Sequence, residues 1–302
     1  MSTSSRAHYA EEVLDSTTLP PPAPVDPQAF DQIAELLVDG DVAVLTGAGI
    51  STASGIPDYR GPDGQRRVQP MQYSEFLADA AGRQRYWARA YAGWKRFASA
   101  GPNASHHAVT ALQDAGALSG LITQNVDGLH QAAGTRDVIE LHGNLAQVVC
   151  LDCNRSYPRD NVHRWLQTAN PSFADPRALS EIRPDGDVLL SAEEVAEFAI
   201  AICPACGHDR LKPDVVFFGG AVARPLVDES FALVERSRAL LVLGSSLQVM
   251  SGYRFVRRAA SLGLPVAVIT RGPTRGDQET TIRLDALLGD VLPGLADALG
   301  AA

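Results

Sequence analysis

Three groups of residues have types and spacings that could do chemistry. The first is Gly47-Ala48-Gly49-Ile50-Ser51, which runs on through Gly55 and Pro57 to Asp58-Tyr59-Arg60. A glycine turn after an apolar run lets backbone approach phosphate closely, so it points to a dinucleotide. The second is Gln124-Asn125-Val126-Asp127, with Leu141-His142-Gly143 soon after. Histidine titrates near neutrality and can take up and return a proton, and polar side chains at strand ends suggest that the dinucleotide is consumed, not only held. The third is the pair of knuckles Cys150-Leu151-Asp152-Cys153 and Cys203-Pro204-Ala205-Cys206, which together use all 4 cysteines. Two matched Cys-x-x-Cys pairs supply the four-sulfur tetrahedron that zinc prefers, and with all four ligands from protein such a zinc is structural. A redox dithiol would not need the second pair.

The glycine turn does not complete a dehydrogenase fingerprint. The third glycine would fall at position 52, which is Thr52. An acidic partner for the ribose is expected about 20 residues on, where the chain has Arg66, Arg67 and Val68. Hydride transfer is therefore disfavoured. The Ala48 and Gly49 amides are expected to face pyrophosphate oxygens, and the Asp58-Tyr59-Arg60 loop to grip the cofactor. As an isolated segment that loop would read equally well as ordinary solvated surface.

The elements that must position these residues are legible as alternation. Val42–Thr46, Leu121–Thr123, Val138–Leu141, Ala239–Leu243 and Val266–Ile269 are short apolar runs, each followed by glycine or polar residues. Helical patterns at Asp31–Val38 and Ser251–Leu262 accompany them. This predicts an α/β fold, a Rossmann-like parallel sheet with helices on both faces, with ligands outside the carboxyl ends of its strands. Residues 1–28 read as a disordered Pro-rich arm, centred on Leu19-Pro20-Pro21-Pro22-Ala23-Pro24. Residues 29–144 and 211–302 form the dinucleotide domain, with a helical insertion at about 56–100, and residues 145–210 form a small zinc-binding domain. Within it, Asn154 to Glu194 reads as a polar loop. Trp87, Tyr91 and Trp94 fall on one helical face, which fits core packing better than a channel wall.

The chain has 302 residues, 45% of them hydrophobic and 20% charged, with a net charge of −9. Such an acidic balance argues against a nucleic-acid partner, which needs a basic footprint. No apolar run reaches the ~18–20 residues of a membrane span, and the N-terminal stretch lacks a signal-peptide pattern. The expectation is a cytoplasmic protein without membrane or nucleic-acid partners.

Taken in order, these motifs, with Lys212-Pro213-Asp214-Val215-Val216-Phe217-Phe218-Gly219 and Gly244-Ser245-Ser246, resemble the sirtuins, NAD-dependent protein lysine deacylases. The resemblance covers about residues 30–298. Arg85–Arg89 and Ser245–Phe255 are similar to the class II branch, which includes the mitochondrial lipoamidase-type sirtuin. The resemblance implies that the acyl oxygen of a modified lysine attacks the nicotinamide ribose of NAD, nicotinamide leaves, and His142 acts as general base toward O-acyl-ADP-ribose. It implies that Asn125 and Asp127 orient the nicotinamide amide and that Gln124 contacts the far ribose. The cofactor path would run along Gly47, Ala48, Gly49, Ser51, Asp58, Tyr59, Arg60, Gln124, Val126, Gly244, Ser245, Ser246, Thr270, Arg271, Gly272 and Leu288. Cys150, Cys153, Cys203 and Cys206 would hold one structural zinc ion. Acylated proteins would bind as extended peptides at Val216–Gly219, part of an edge strand expected over Val215–Gly219, with a second segment near Gly252. His106, His107, His130 and His208 are expected to be packed or hydrogen-bonded, not catalytic.

Two departures stand out. Thr270 replaces the usual asparagine of the family at the adenosine end. Ala90 and Gly93 stand where family members that remove acidic acyl groups carry tyrosine and arginine, so a buried succinyl carboxylate would lack partners and desuccinylation should be poor. Mono-ADP-ribosyl transfer and weakly catalytic NAD or acyl-ADP-ribose sensing are the alternatives on the same fold.

Overall fold

The computed structural model of the chain describes residues 24–61, 65–66, 68–173 and 183–300. Most of the proposed N-terminal arm and the middle of the segment between the cysteine pairs lie outside the described residues.

In chain order the elements are α1 (Pro27–Val38), β1 (Val42–Thr46), α2 (Tyr73–Ala78), α3 (Ala80–Ala98), α4 (Ala104–Asp114), β2 (Leu118–Thr123), α5 (Leu129–Ala132), β3 (Val138–Glu140), β4 (Gly143–Cys150), β5 (Ser156–Pro158), α6 (Arg159–Ala169), α7 (Ala192–Ala196), β6 (Leu211–Val215), α8 (Arg224–Arg236), β7 (Ala239–Leu243), α9 (Met250–Ser261), β8 (Val266–Ile269), β9 (Ile282–Leu284) and α10 (Leu288–Ala298). The first helix starts earlier than its apolar periodicity implies. Asp26 accepts from the Gln28 amide and Pro27 opens the first turn, a start signal that precedes the first buried position.

Six strands form a parallel sheet in the order β3-β2-β1-β7-β8-β9. Alternate strand residues feed two cores. Val42, Val44, Leu121, Leu241 and Ile269 pack under α1, α4 and α10 through Ile33, Leu37, Val109, Leu112, Val291 and Leu295. Ala43, Leu45, Ile122, Leu240, Val242 and Val268 pack on the other face against Leu233, Val234, Phe255 and Val256 of α8 and α9. Burial on both faces is why these strands read as unbroken apolar runs.

Register aligns the strand ends. Thr46 lies opposite both Thr123 and Leu243, Thr123 opposite Glu140, and Leu243 opposite Ile269. Gly47, Gln124, Gly244 and Thr270, which follow these ends directly, and His142, two residues beyond Glu140, therefore line up along one edge. Strand order reverses between β1 and β7, and a crevice opens there.

A second sheet, antiparallel and ordered β5-β4-β6, carries the cysteine knuckles. Its core joins Val148, Cys150, Cys203 and Leu211 to Phe76, Tyr86, Trp87 and Ala90 of α2 and α3. The Trp87 indole donates to the Leu211 carbonyl at 2.9 Å. The buried Arg159 guanidinium lies 4.7 Å from the Trp87 ring centroid and 4.8 Å from that of Trp94. The aromatic face of α3 is thus core, as its spacing predicts.

Two expectations need correction. The supposed polar loop at Asn154–Glu194 contains β5, α6 and the start of α7, and α6 buries Val162 and Leu166. Its apolar positions are diluted by Arg159, Asp160, Asn161 and Arg164, so the stretch reads as polar. Residues 216–219 are not a regular strand: β6 ends at Val215, and beyond it the chain makes only an isolated parallel bridge between Gln72 and Phe218.

Candidate active site

The glycines at the crevice serve close packing. A Cβ at Gly47 would lie 2.7 Å from Ser245 Cβ, and one at Gly49 would lie 2.9 Å from both Cα and O of Gly244. Gly244 itself has a positive φ of 61° and faces the Ile50 amide and Gly49 just as closely. The turn after β1 and the turn after β7 are pressed together. One consequence overturns an expectation: the Gly49 amide donates to the Gly244 carbonyl at 2.9 Å. It is committed to the protein and does not point at a phosphate.

Beyond β2, side chains form a linked polar row. Gln124 Nε2 donates to Ser245 Oγ at 2.8 Å and to the Thr46 carbonyl at 3.2 Å. Gly252 permits this, since its Cβ would sit 2.5 Å from Gln124 Oε1. Asn125 Nδ2 donates to the Gly47 carbonyl and to Ser51 Oγ, both at 3.1 Å. Ser51 in turn donates to Asp127 Oδ2 at 2.7 Å, and Asp127 Oδ1 accepts the amide of Leu129, the first residue of α5, at 3.0 Å. Burial pushes the Asp127 carboxyl up from its ordinary range, partly offset by these donors.

His142 follows β3. Its Nδ1 is 2.8 Å from the Gln124 carbonyl and its Nε2 is 2.8 Å from Ser251 Oγ. A carbonyl only accepts, so Nδ1 carries the hydrogen and Nε2 holds the lone pair. Burial lowers the affinity of the ring for a second proton, opposed by the Gln124 carbonyl and reinforced by nearby Arg254. The ring is therefore neutral at neutral pH with one fixed basic nitrogen. Ser251 was not singled out in the sequence. Its only signal there is its place in the first turn of α9.

The remaining histidines divide. His130 and His106 are buried with ring centroids 5.0 Å apart, and burial lowers their pKa values to about 3 and about 4. His130 Nε2 is 3.0 Å from Thr46 Oγ1, and His106 Nε2 is 3.5 Å from Ser51 Oγ, so both brace the polar row from behind. His107 is exposed, and His208 is an exposed partner of Asp152 at 3.5 Å.

A cavity of about 940 Å³ runs along the crevice. Gly47, Ala48, Gly49, Ser51, Asp58, Tyr59, Arg60, Gln124, Asn125, Val126, Asp127, His142, Gly244, Ser245, Ser246, Thr270, Arg271 and Leu288 all line it. Gly272 does not, although its neighbour Pro273 does. Gly272 sits in a turn at φ 73°, and its carbonyl accepts from Arg283. Thr270 is nearly buried, with its amide on the Leu284 carbonyl at 3.2 Å. Val216, Phe217, Phe218, Gly219, Met250 and Ser251 form another part of the wall. Sequence reasoning missed Tyr86, Pro184 and Asp185, which also line it. Ala90 and Gly93 do not: a Cβ on Gly93 would meet the Gly186 carbonyl at 2.2 Å, and the Ala90 carbonyl accepts from Arg159 at 2.9 Å.

The four cysteine sulfurs lie within 4.8 Å of one another. Cys150 and Cys206 are 3.6 Å apart and Cys153 and Cys203 are 3.8 Å apart. A tetrahedron with Zn–S near 2.3 Å has edges of roughly 3.8 Å, so the four are positioned to bind a structural zinc ion.

Comparison with known proteins now decides the family. Residues 47–251 match the Sir2 family model. The chain belongs to the Sir2 family. It is 51% identical to NAD-dependent protein deacetylase 1 of Streptomyces coelicolor, over 89% of each chain. It is 43% identical to the mitochondrial NAD-dependent protein lipoamidase sirtuin-4 of Bos taurus, over 95% of this chain and 93% of that one. Among solved structures, a Sir2–p53 peptide–NAD+ complex superposes with a TM-score of 0.71 at 27% identity, covering 90% of this chain and 99% of that one.

Proposed function

We propose that this Sir2 family member is an NAD-dependent protein lysine deacylase that transfers the acyl group to ADP-ribose. The observation that carries this reading is His142, held in one tautomer by the Gln124 carbonyl and presenting Nε2 in the same cavity as the Asn125–Ser51–Asp127 row. Bound NAD supplies a glycosidic bond whose cleavage releases nicotinamide. Asn125 and Asp127, anchored through Ser51, hold the nicotinamide amide. Gln124 and Ser245 hold the far ribose and adjoining phosphate. His142 Nε2 takes a proton from a hydroxyl delivered to the cavity and returns it later, a task that suits a neutral imidazole at physiological pH.

The acylated protein lies along residues 216–219. The Val216 amide donates to the His142 carbonyl at 2.8 Å and the Phe218 carbonyl accepts the Tyr73 amide at 2.8 Å. Both bonds fall on one side of Val216–Phe218, so the Phe217 amide faces the other side and is offered to a peptide main chain. The Phe217 carbonyl accepts the Gly220 amide at 2.8 Å, and Gly219, at φ 78°, turns the chain there. Main-chain pairing reads few side chains, which suits an enzyme that meets many proteins. Its action is placed in the cytoplasm, where reducing conditions keep four thiols available to a metal. No helix among the described residues is long and apolar enough to cross a membrane.

The test is to incubate the protein with NAD and acyl-lysine peptides and to follow products by mass spectrometry. Nicotinamide and O-acyl-ADP-ribose formed one-to-one with free lysine are expected. ADP-ribosylated protein without deacylation would instead favour mono-ADP-ribosyl transfer, and absence of nicotinamide would leave a ligand sensor.

A further inference from the structure

One polar group in the cavity wall has no part in this chemistry. The cavity extends from His142 past Phe217 to Tyr86, Pro184 and Asp185. The path is continuous: Val216 is bonded to His142, and the Tyr86 ring lies 5.1 Å from that of Phe217. Asp185 is close enough to Tyr59 and Tyr86 that its charge adds to the effect of burial in pushing both phenols up. Its Oδ1 is shut off from solvent and no N–H or hydroxyl among the described residues reaches it. The side chain's hydrogen-bond partner is the neighbouring Asp187 carboxyl, through a shared proton.

The carboxyl is fixed in place by its turn. The Gly186 amide donates to the Arg183 carbonyl and the Arg183 amide to the Asp187 carbonyl, both at 2.9 Å, with Gly186 at φ 73°. The turn is wedged against α3, its Gly186 carbonyl occupying the space beside Gly93. Arg183 and Arg89 pair with the neighbouring, buried Asp187, at 3.6 Å and 4.0 Å, and Asp185 feels the Arg183 charge without an ion-pair contact of its own among the described residues. Two enclosed carboxyls that have only each other's proton to share are costly to hold, and the cost is recovered when a ligand brings a further donor. Burial raises the Asp185 carboxyl above its ordinary range, which an arriving cation would reverse.

On the deacylase reading, we infer that Asp185 receives a hydrogen-bond donor at the far end of the substrate's acyl chain, an ammonium or an amide N–H. The enzyme then prefers donor-ended acyl groups to alkyl groups of equal length and rejects acid-ended ones. A carboxylate there would meet two acidic neighbours, and the position that would carry an arginine is Gly93, closed off by the turn.

The test is calorimetric binding of peptides whose lysine carries ω-aminohexanoyl, heptanoyl or adipoyl groups, matched in length and measured with ADP-ribose present. The wild-type protein should bind the amine-ended peptide about tenfold more tightly than the heptanoyl one, the size expected for a hydrogen bond to a charged group, with adipoyl weakest. Asp185→Asn should collapse the preference, and Asp185→Ser serves if the first variant is unstable. Equal binding of the three peptides, adipoyl binding tightest, or a preference unchanged in both variants would overturn the inference. Nicotinamide release is read separately. Binding in the expected order without release sinks the deacylase reading alone, and release without the preference sinks this one alone.

Discussion

The cysteine cluster and the His142 crevice are both assembled from segments far apart in sequence, yet they are built to opposite ends. In the cluster, four sulfurs converge on one point and leave no position open. In the crevice, Gln124, Asn125 and Asp127 are tied to protein partners, while the groups they orient face a cavity of about 940 Å³. A closed set of ligands contributes folding energy, and an open set contributes chemistry. The largest effect should therefore come from breaking the closed site. Stripping the metal with a chelator, or Cys203→Ser, should abolish deacylation and cost several kcal/mol, because the knuckles hold Leu211, which anchors Trp87. Metal content near one zinc per chain, followed with the thermal melt, checks this. A metal-free protein that melts and turns over unchanged would erase the contrast between the two regions.

The open site should fail in the other way, losing turnover without losing the fold. His142→Ala is expected to lower kcat by about 10²–10⁴-fold with the melting temperature nearly unmoved, read from steady-state nicotinamide release beside a thermal scan. A comparable fall in stability would make the ring structural, as His130 is. The glycines separate packing from catalysis more finely. Gly49→Ala puts a Cβ 2.9 Å from Gly244 backbone and should destabilise by about 1–3 kcal/mol. Gly101→Ala meets nothing within 4 Å and should be close to neutral. Equal melting temperatures for the two variants would show that the β1 and β7 turns are not pressed together.

Legibility followed the same division. The cysteine pairs, the strand ends and His142 are visible in sequence because each is a local pattern: two short spacings, or an apolar run that stops at a polar residue. Five of the six strands of the parallel sheet were readable because apolar runs there go uninterrupted; β9, only partly buried and with Arg283 at its centre, was not. Relations across distant segments were not. Nothing local shows that the Gly49 amide is taken by Gly244, that the Asp185 turn fills the space beside Gly93, or that β6 stops at Val215 before the two phenylalanines. Helix α6 was hidden because only part of its surface is buried, and polar residues dominate the rest. The resemblance to sirtuins named the residues expected along the cofactor path, and all but Gly272 line the cavity. It could not supply the reason for each position, which lies in tertiary contacts.

The smallest expected effect lies within the crevice and tests how its base is poised. Burial lowers the His142 pKa, so the ring stays neutral as pH falls through the ordinary histidine value of about 6.5. Activity should persist below that pH and be lost only as pH drops through the lowered value. Ser251 contributes to this, because its hydroxyl donates into the Nε2 lone pair at 2.8 Å and so stabilises the unprotonated ring. Ser251→Ala removes that donor. The acidic limb of the kcat/KM profile should then move to higher pH, while the plateau changes only a few-fold, since the Gln124 carbonyl still fixes the tautomer. A limb that stays in place would mean that Ser251 orients the ring without tuning it. A limb that moves to lower pH would mean that the hydroxyl accepts from a protonated ring, reversing the assignment of donor and acceptor on which the role of Nε2 as base depends.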